Sequence, residues 1–146
     1  MWALQTTPTI DSFTERSDCS LLRGYRVGRW CYRKLDGQSE SYDDALRRCK
    51  NWNQNAVLFN PPLPAYARKL IADSIDRPDR VWTGAKDDDT EGTWVWDDPF
   101  VVATILADQH DKDCAVWKTV YLNFEAVPCV VDAANAADVL CQFESK

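Results

Sequence analysis

The run Asp87-Asp88-Asp89-Thr90-Glu91 places four carboxylates in five positions. Such a cluster repels itself unless a counter-charge stands nearby. Calcium, a hard cation that takes six to eight oxygens, would relieve that repulsion. A solvated acidic turn, with Lys86 and Lys112 as partial counter-charges, is the simpler reading. His110, the single histidine, stands among Asp108, Asp111 and Asp113. An imidazole beside carboxylates can hold a metal or move a proton. A lone loop histidine is more often just solvated, and no Ser-His-Asp motif supports hydrolysis. No enzymatic activity is expected.

The second chemistry is that of sulfur. Six cysteines occur, at 19, 31, 49, 114, 129 and 141. No C-x-x-C spacing is present, which argues against zinc. An even number in a short chain predicts three disulfides and an oxidising compartment. Counting alone leaves fifteen connectivities open.

These residues need elements to hold them. Ser41-Tyr42-Asp43-Asp44 has capping-box form. Tyr42, Ala45, Leu46 and Cys49 follow at i, i+3, i+4 and i+7, predicting an amphipathic helix that ends by Asn51 to Asn55. Val57-Leu58-Phe59 reads as a short strand stopped by Asn60-Pro61-Pro62. Pro64 opens a second helix with a face of Leu63, Ala67, Leu70, Ile71 and Ile75. Asp76-Arg77-Pro78-Asp79 stops it. The helical period then gives way to short runs: Val81-Trp82, Trp94-Val95-Trp96, Ala115-Val116-Trp117, Val120-Tyr121-Leu122 and Val139-Leu140-Cys141. Two helices flanking short antiparallel sheets make an α+β fold. Trp82, Trp94 and Trp96 are expected to pack in the core.

Composition bounds the function. At 146 residues the chain suits one domain. A formal net charge of −6 argues against nucleic acid or an anionic membrane as general partner. No apolar run reaches the ~20 residues of a membrane span. Met1-Trp2-Ala3-Leu4 passes directly into polar residues, so no secretory leader is read there and the chain is taken as the mature form. No Asn-x-Ser/Thr sequon occurs. Residues 1–17 read as an N-terminal extension and 18–146 as the domain.

The order of local motifs carries a resemblance. Cys31-Tyr32 precedes the first helix, which ends near Cys49. Then come Val81-Trp82-Thr83-Gly84, Glu91-Gly92-Thr93-Trp94-Val95-Trp96, Asp113-Cys114, Val127-Pro128-Cys129 and Val139-Leu140-Cys141-Gln142-Phe143-Glu144. From about Cys19 to Glu144 this pattern resembles the C-type lectin-like domain family in its long form. The resemblance implies the pairs Cys19–Cys31, Cys49–Cys141 and Cys114–Cys129, and a long ligand loop at about Asp97 to Asp113.

In sugar-binding members a calcium ion bridges protein and sugar. It is held by a Glu-Pro-Asn or Gln-Pro-Asp triplet, a glutamate two residues before the third inner-framework cysteine, and a Trp-Asn-Asp triplet on the next strand. Here the loop reads Ala107-Asp108-Gln109-His110-Asp111 without the proline, Lys112 takes the glutamate position, and the later triplet is Phe124-Glu125-Ala126. Calcium-bridged sugar binding is therefore not expected. A second, structural calcium position of the family is partly kept in Asp87, Glu91 and Asp113, so no cofactor is required and one structural Ca2+ remains an option.

The first expectation is a secreted, calcium-independent recognition module for an extracellular protein. Its surface would be the loop Phe100 to Asp113 with Trp117, Tyr121 and Phe124. The apolar run Phe100 to Leu106 would be a contact patch if exposed and core if buried. The second is a glycan-binding lectin with a non-standard site, where Trp117 or Tyr121 stacks on a sugar and Asp108, Gln109 and Glu125 bond its hydroxyls. His110 and Asp111 lie in the same candidate surface. The third is an acidic structural or matrix component, or a subunit of an assembly. Membrane insertion is not expected, and the oligomeric state stays open.

Overall fold

The computed structural model describes residues 19–62, 65–86, 112–120 and 123–144. The expected extension 1–17, the strand Trp94-Val95-Trp96 and the loop Asp97–Asp111 lie outside the described residues.

Seven strands form one sheet: β1 (Tyr25–Val27), β2 (Trp30–Ser39), β3 (Val57–Leu58), β4 (Val81–Lys86), β5 (Cys114–Lys118), β6 (Asn123–Val127) and β7 (Ala137–Glu144). The order is β1-β2-β7-β4-β5-β6, with β3 pairing β7 off this path. Two antiparallel groups meet through parallel pairing of Val81 with Asp138 and a parallel bridge between Phe59 and Thr83. β7 is the hub, with β2, β3 and β4 all paired to it.

Period two along β7 builds two cores. Ala137, Val139, Cys141 and Phe143 face one side, with Trp82, Cys114 and Val116. Leu140 faces the other, with Tyr32, Phe59, Val81 and Trp117. Successive strand side chains point to opposite faces, so each core takes one helix. Helix α1 (Tyr42–Trp52) closes the first with Tyr42, Ala45 and Cys49. Helix α2 (Ala65–Ser74) closes the second with Ile71 and Ala72, and Ile75 just beyond its end joins them. Two polar groups in the cores are paired: Trp82 Nε1 donates to Ser39 O at 2.9 Å and Asn60 N to Gln142 Oε1 at 2.7 Å.

Helix α1 starts as its sequence requires. Ser41 is extended and accepts from Asp44 N at 3.0 Å. Asp43 and Asp44 lie at the positive end of the helix dipole and Lys50 near the negative end. Helix α2 corrects one expectation. Its buried stripe is Ala67, Ile71 and Ala72, while Leu70 is 44 % exposed. Residues 70 and 71 differ by about 100° around a helix, so the stripe cannot hold both at its centre. The helix ends where Asp76 and Arg77 turn left-handed, φ 61° and 45°, and Arg77 N caps Ala72 O at 3.0 Å.

The disulfides are Cys19–Cys31, Cys49–Cys141 and Cys114–Cys129, the pairing implied by the resemblance. The second ties α1 to β7 across 92 residues. Closing so long a loop in the unfolded chain is worth roughly 4–5 kcal/mol in the chain-entropy picture. Gly24 is needed for a reason beyond turning: a Cβ there would lie 2.1 Å from Cys31 Sγ and 2.8 Å from Cys19 Sγ.

Two further expectations change. Val120 is not in a strand; it sits in the turn after β5, and the return strand is β6 from Asn123. Tyr121 and Leu122 lie outside the described residues. The longest strand, β2, was not foreseen as one, because Asp36, Gly37 and Gln38 interrupt its apolar run and coincide with a register shift between Leu35 and Gln38.

Candidate functional site

The β5–β6 hairpin carries the positions where ligand chemistry was expected. Its register pairs Cys114 with Val127, Ala115 with Ala126, Val116 with Glu125 and Trp117 with Phe124. Cross-strand partners share a face. Glu125 therefore lies on the face of Val116, and Phe124 on that of Trp117.

Glu125 is exposed and lines a concavity of about 320 Å³ with Asp79, Arg80, Lys118, Val120 and Asn135. Three distant segments meet there: the approach to β4, the end of the β5–β6 hairpin, and a 3-10 turn (Ala133–Asn135). They are fastened together. Arg80 Nη1 donates to Asn135 O and Oδ1, both at 3.2 Å. Asp132 Oδ1 accepts from Asn135 N at 3.0 Å and Nδ2 at 2.8 Å. Asp138 N donates to Arg80 O at 2.9 Å, and Thr119 Oγ1 donates to Pro78 O.

Two cations, two carboxylates, an amide and one aliphatic side chain line it. None of the six lining side chains is a hydroxyl or thiol that a neighbouring base could activate. Arginine and carboxylates in fixed geometry bond polar partners bidentately.

The structure overturns one expected contact. Trp117 is 0 % exposed, and its ring stacks on Phe59 with centroids 4.7 Å apart. It belongs to the α2-side core and offers no face to a ligand. Phe124 is half-buried against the same core. Asp108, Gln109, His110, Asp111 and Tyr121 lie outside the described residues, as do Asp87 and Glu91.

Of the donor positions that the resemblance implies for a sugar-bridging calcium, those of the loop up to Asp111 lie outside the described residues, and Lys112 and Ala126 are described. Ala126, at a position where the resemblance implies an oxygen donor, carries only a methyl group and is 5 % exposed. Lys112 places a cation just ahead of β5. Among the described residues no three His, Cys, Asp or Glu side chains converge. Asp113 is different. Its Oδ1 is buried without a hydrogen-bond partner among the described residues. A buried carboxylate oxygen left unpaired is costly, and a cation satisfies it.

Asp79, Arg80, Lys118, Val120 and Asn135 were missed as site residues. Arg80 had no signal in the strand period, because β4 beyond it is buried from Val81 to Ala85 without alternation. Asn135 had none, since only the tertiary fold brings it to Arg80. Away from the site, the Ser39 hydroxyl, donating to Asp44 Oδ2 at 2.9 Å, holds Asp44 below its ordinary value, helped by Arg47 and Arg48.

Comparison with known proteins agrees with the fold. Residues 38–143 match the family described as Lectin C-type domain. No curated protein matches the chain in sequence. Among solved structures, a calcium-independent type II antifreeze protein is 18% identical, with TM-score 0.66, covering 84% of this chain and 92% of that one. Human lithostathine is 20% identical, with TM-score 0.65, 83% and 96% covered. The cow C-type carbohydrate-recognition domain of CD23, solved in the presence of a GlcNAc2Man3 oligosaccharide, is 14% identical, with TM-score 0.66, 84% and 94% covered. Identities this low speak for the fold alone. Among the described residues no helix is long and apolar enough to cross a membrane.

Proposed function

The chain belongs to the C-type lectin domain family, and on that premise we propose that it is a secreted, non-enzymatic module that recognises an extracellular protein without a calcium bridge. The observation that supports this reading is buried Ala126, which with Lys112 occupies positions where the family resemblance implies oxygen donors for a bridging ion. Without them, binding must use side chains directly. The Arg80–Glu125 concavity supplies both charges on a fastened frame. Three disulfides fit an oxidising, extracellular setting. In this reading residues 18–146 are the domain and 1–17 an extension.

A second reading is favoured by the same concavity. Its volume of about 320 Å³ and its polar lining suit one or two sugar rings held by direct hydrogen bonds. Asp113, whose Oδ1 is buried without a partner among the described residues, would with Asp87 and Glu91 hold a structural calcium that stiffens the chain. Such an ion supplies charge neutralisation only.

The test is a pair of arrays, one of extracellular protein ectodomains and one of glycans, each probed in millimolar calcium and in EDTA. Protein binding that is equal in both buffers, and lost in Arg80→Glu with Glu125→Arg, is expected. Glycan binding in both buffers selects the second reading. Glycan binding only in calcium overturns both.

A further inference from the structure

Residues 20–35 hold five cations, Arg23, Arg26, Arg29, Arg33 and Lys34, and no acid, in a chain whose net charge is −6. This segment contains β1 and most of β2, at the opposite end of the strand order from the Arg80–Glu125 concavity. Two of the cations are occupied inward: Arg33 Nη1 donates to Leu22 O at 2.8 Å, and Lys34 lies 3.7 Å from Asp138. Arg23, Arg26 and Arg29 are exposed. Arg26 uses its Nε on Gly28 O at 2.9 Å. Arg29 meets Glu144 at 2.9 Å in a pair with both partners in water, 64% and 48% exposed. Exposed pairs of this kind are worth little and exchange readily with another anion.

We infer that the β1–β2 hairpin is a docking edge for a sulfated polysaccharide. Placement favours a linear polyanion. At about 3.3 Å per residue, three steps along the chain separate Arg23 from Arg26 by up to about 10 Å. Arg26 lies on the Cys31 side of the sheet by its pairing, and Arg29 stands just past the Gly28 turn. The cations thus follow an edge and splay to both sides. A flexible chain of sulfates can trace that edge, whereas a flat bilayer would meet only one side of it. Guanidinium groups fork onto sulfate oxygens as they do onto phosphate and carboxylate. Arg23 itself sits at φ 60°, a left-handed backbone that favours glycine or asparagine. An arginine held there at a cost points to a use for its charge.

The overall charge makes the test sharp, because an acidic protein is repelled by a polyanion unless a local patch holds it. Immobilised heparin is the probe, with phosphatidylserine vesicles and an acidic polyglutamate peptide as alternatives. The wild type is expected to stay bound at roughly physiological ionic strength, about 0.15 M, and to elute at higher salt. Arg23→Asn with Arg26→Gln should bind roughly tenfold or more weakly, since each cation near a polyanionic surface counts. Arg26→Gln alone should fall between them. Arg80→Gln, at the other end of the sheet, should elute with the wild type, so failure here is separable from failure of the proposed protein site. Absence of retention, unchanged elution of the double variant at unchanged melting temperature, or equal binding to vesicles or polyglutamate overturns the inference.

Discussion

Trp117 stacks on Phe59, ring centroids 4.7 Å apart and planes inclined by 22°. Both rings are shut off from solvent. Trp117 lies on β5 and Phe59 just after β3, so the stack joins the two antiparallel groups of strands across the α2-side core. Trp117→Ala should therefore cost about 3–5 kcal/mol, measured by urea denaturation. A loss below about 1 kcal/mol together with impaired ligand binding would return Trp117 to the surface. Trp117→Phe should cost much less than the alanine variant, because it also removes an indole N–H that has no acceptor among the described residues.

Gly24 is predicted to be indispensable to the first disulfide. With a Cβ 2.1 Å from Cys31 Sγ, Gly24→Ala cannot keep the present path of the bridge. Thiol titration of the unfolded, unreduced variant should find Cys19 and Cys31 reduced or mispaired. The loss of stability should be about 2–5 kcal/mol, that of removing a native disulfide. A fully oxidised variant with native pairing by peptide mapping would contradict this.

Asp44 gives a pH dependence of known sign. Its pKa in the folded protein is lowered, first by the Ser39 hydroxyl and then by Arg47 and Arg48, against the opposing effect of burial. A lowered folded pKa adds stability that is present above the unfolded value, about 3.9, and lost as pH falls through the folded value. Ser39→Ala should raise the Asp44 pKa, read by carboxyl NMR titration. The stability gap between wild type and Ser39→Ala should be full near neutrality and narrow below about pH 4. A gap that widens in acid would reverse the assignment. Asp44 is partly open to water, so the effect is modest.

Calcium should matter little to the fold and measurably to Asp113. In EDTA the protein should stay folded, because the disulfides and two cores hold it. If the Asp113 site has the 10⁻⁴–10⁻³ M affinity usual for extracellular modules, millimolar calcium adds about 1 kcal/mol. That is a rise of about 2–4 °C in Tm. The rise should vanish in Asp113→Asn. A fall of tens of degrees in EDTA would show that the ion carries the fold.

The parts legible in the sequence were those with a local signature. Ser41 and Asp44 announced the start of α1, and the positions of Tyr42, Ala45 and Cys49 announced its buried face. The resemblance supplied the cysteine pairing, and all three bridges formed as implied. The burial of Trp117 was hidden because β5 lies between two cores. Ala115, Val116 and Trp117 are all buried, so no alternation separates an inward ring from an outward one. Leu70 misled because neighbouring apolar residues on a helix compete for one stripe. The concavity was illegible because Arg80, Glu125 and Asn135 meet only through the sheet.

The central place of β7 bears on how the protein is made. Residues 137–144 are the last element of the described chain, yet β2, β3 and β4 all lean on them. During synthesis β1–β2 and β4–β5–β6 can pair on their own, but they join through β7 only once that strand has emerged from the ribosome. Cys49 waits with them as a thiol, since its partner is Cys141. The bridges Cys19–Cys31 and Cys114–Cys129, 12 and 15 residues apart, have both partners available earlier. The decisive step of assembly therefore comes only once β7 has been made, and an oxidase that acts too soon on Cys49 leaves an error for an isomerase to undo.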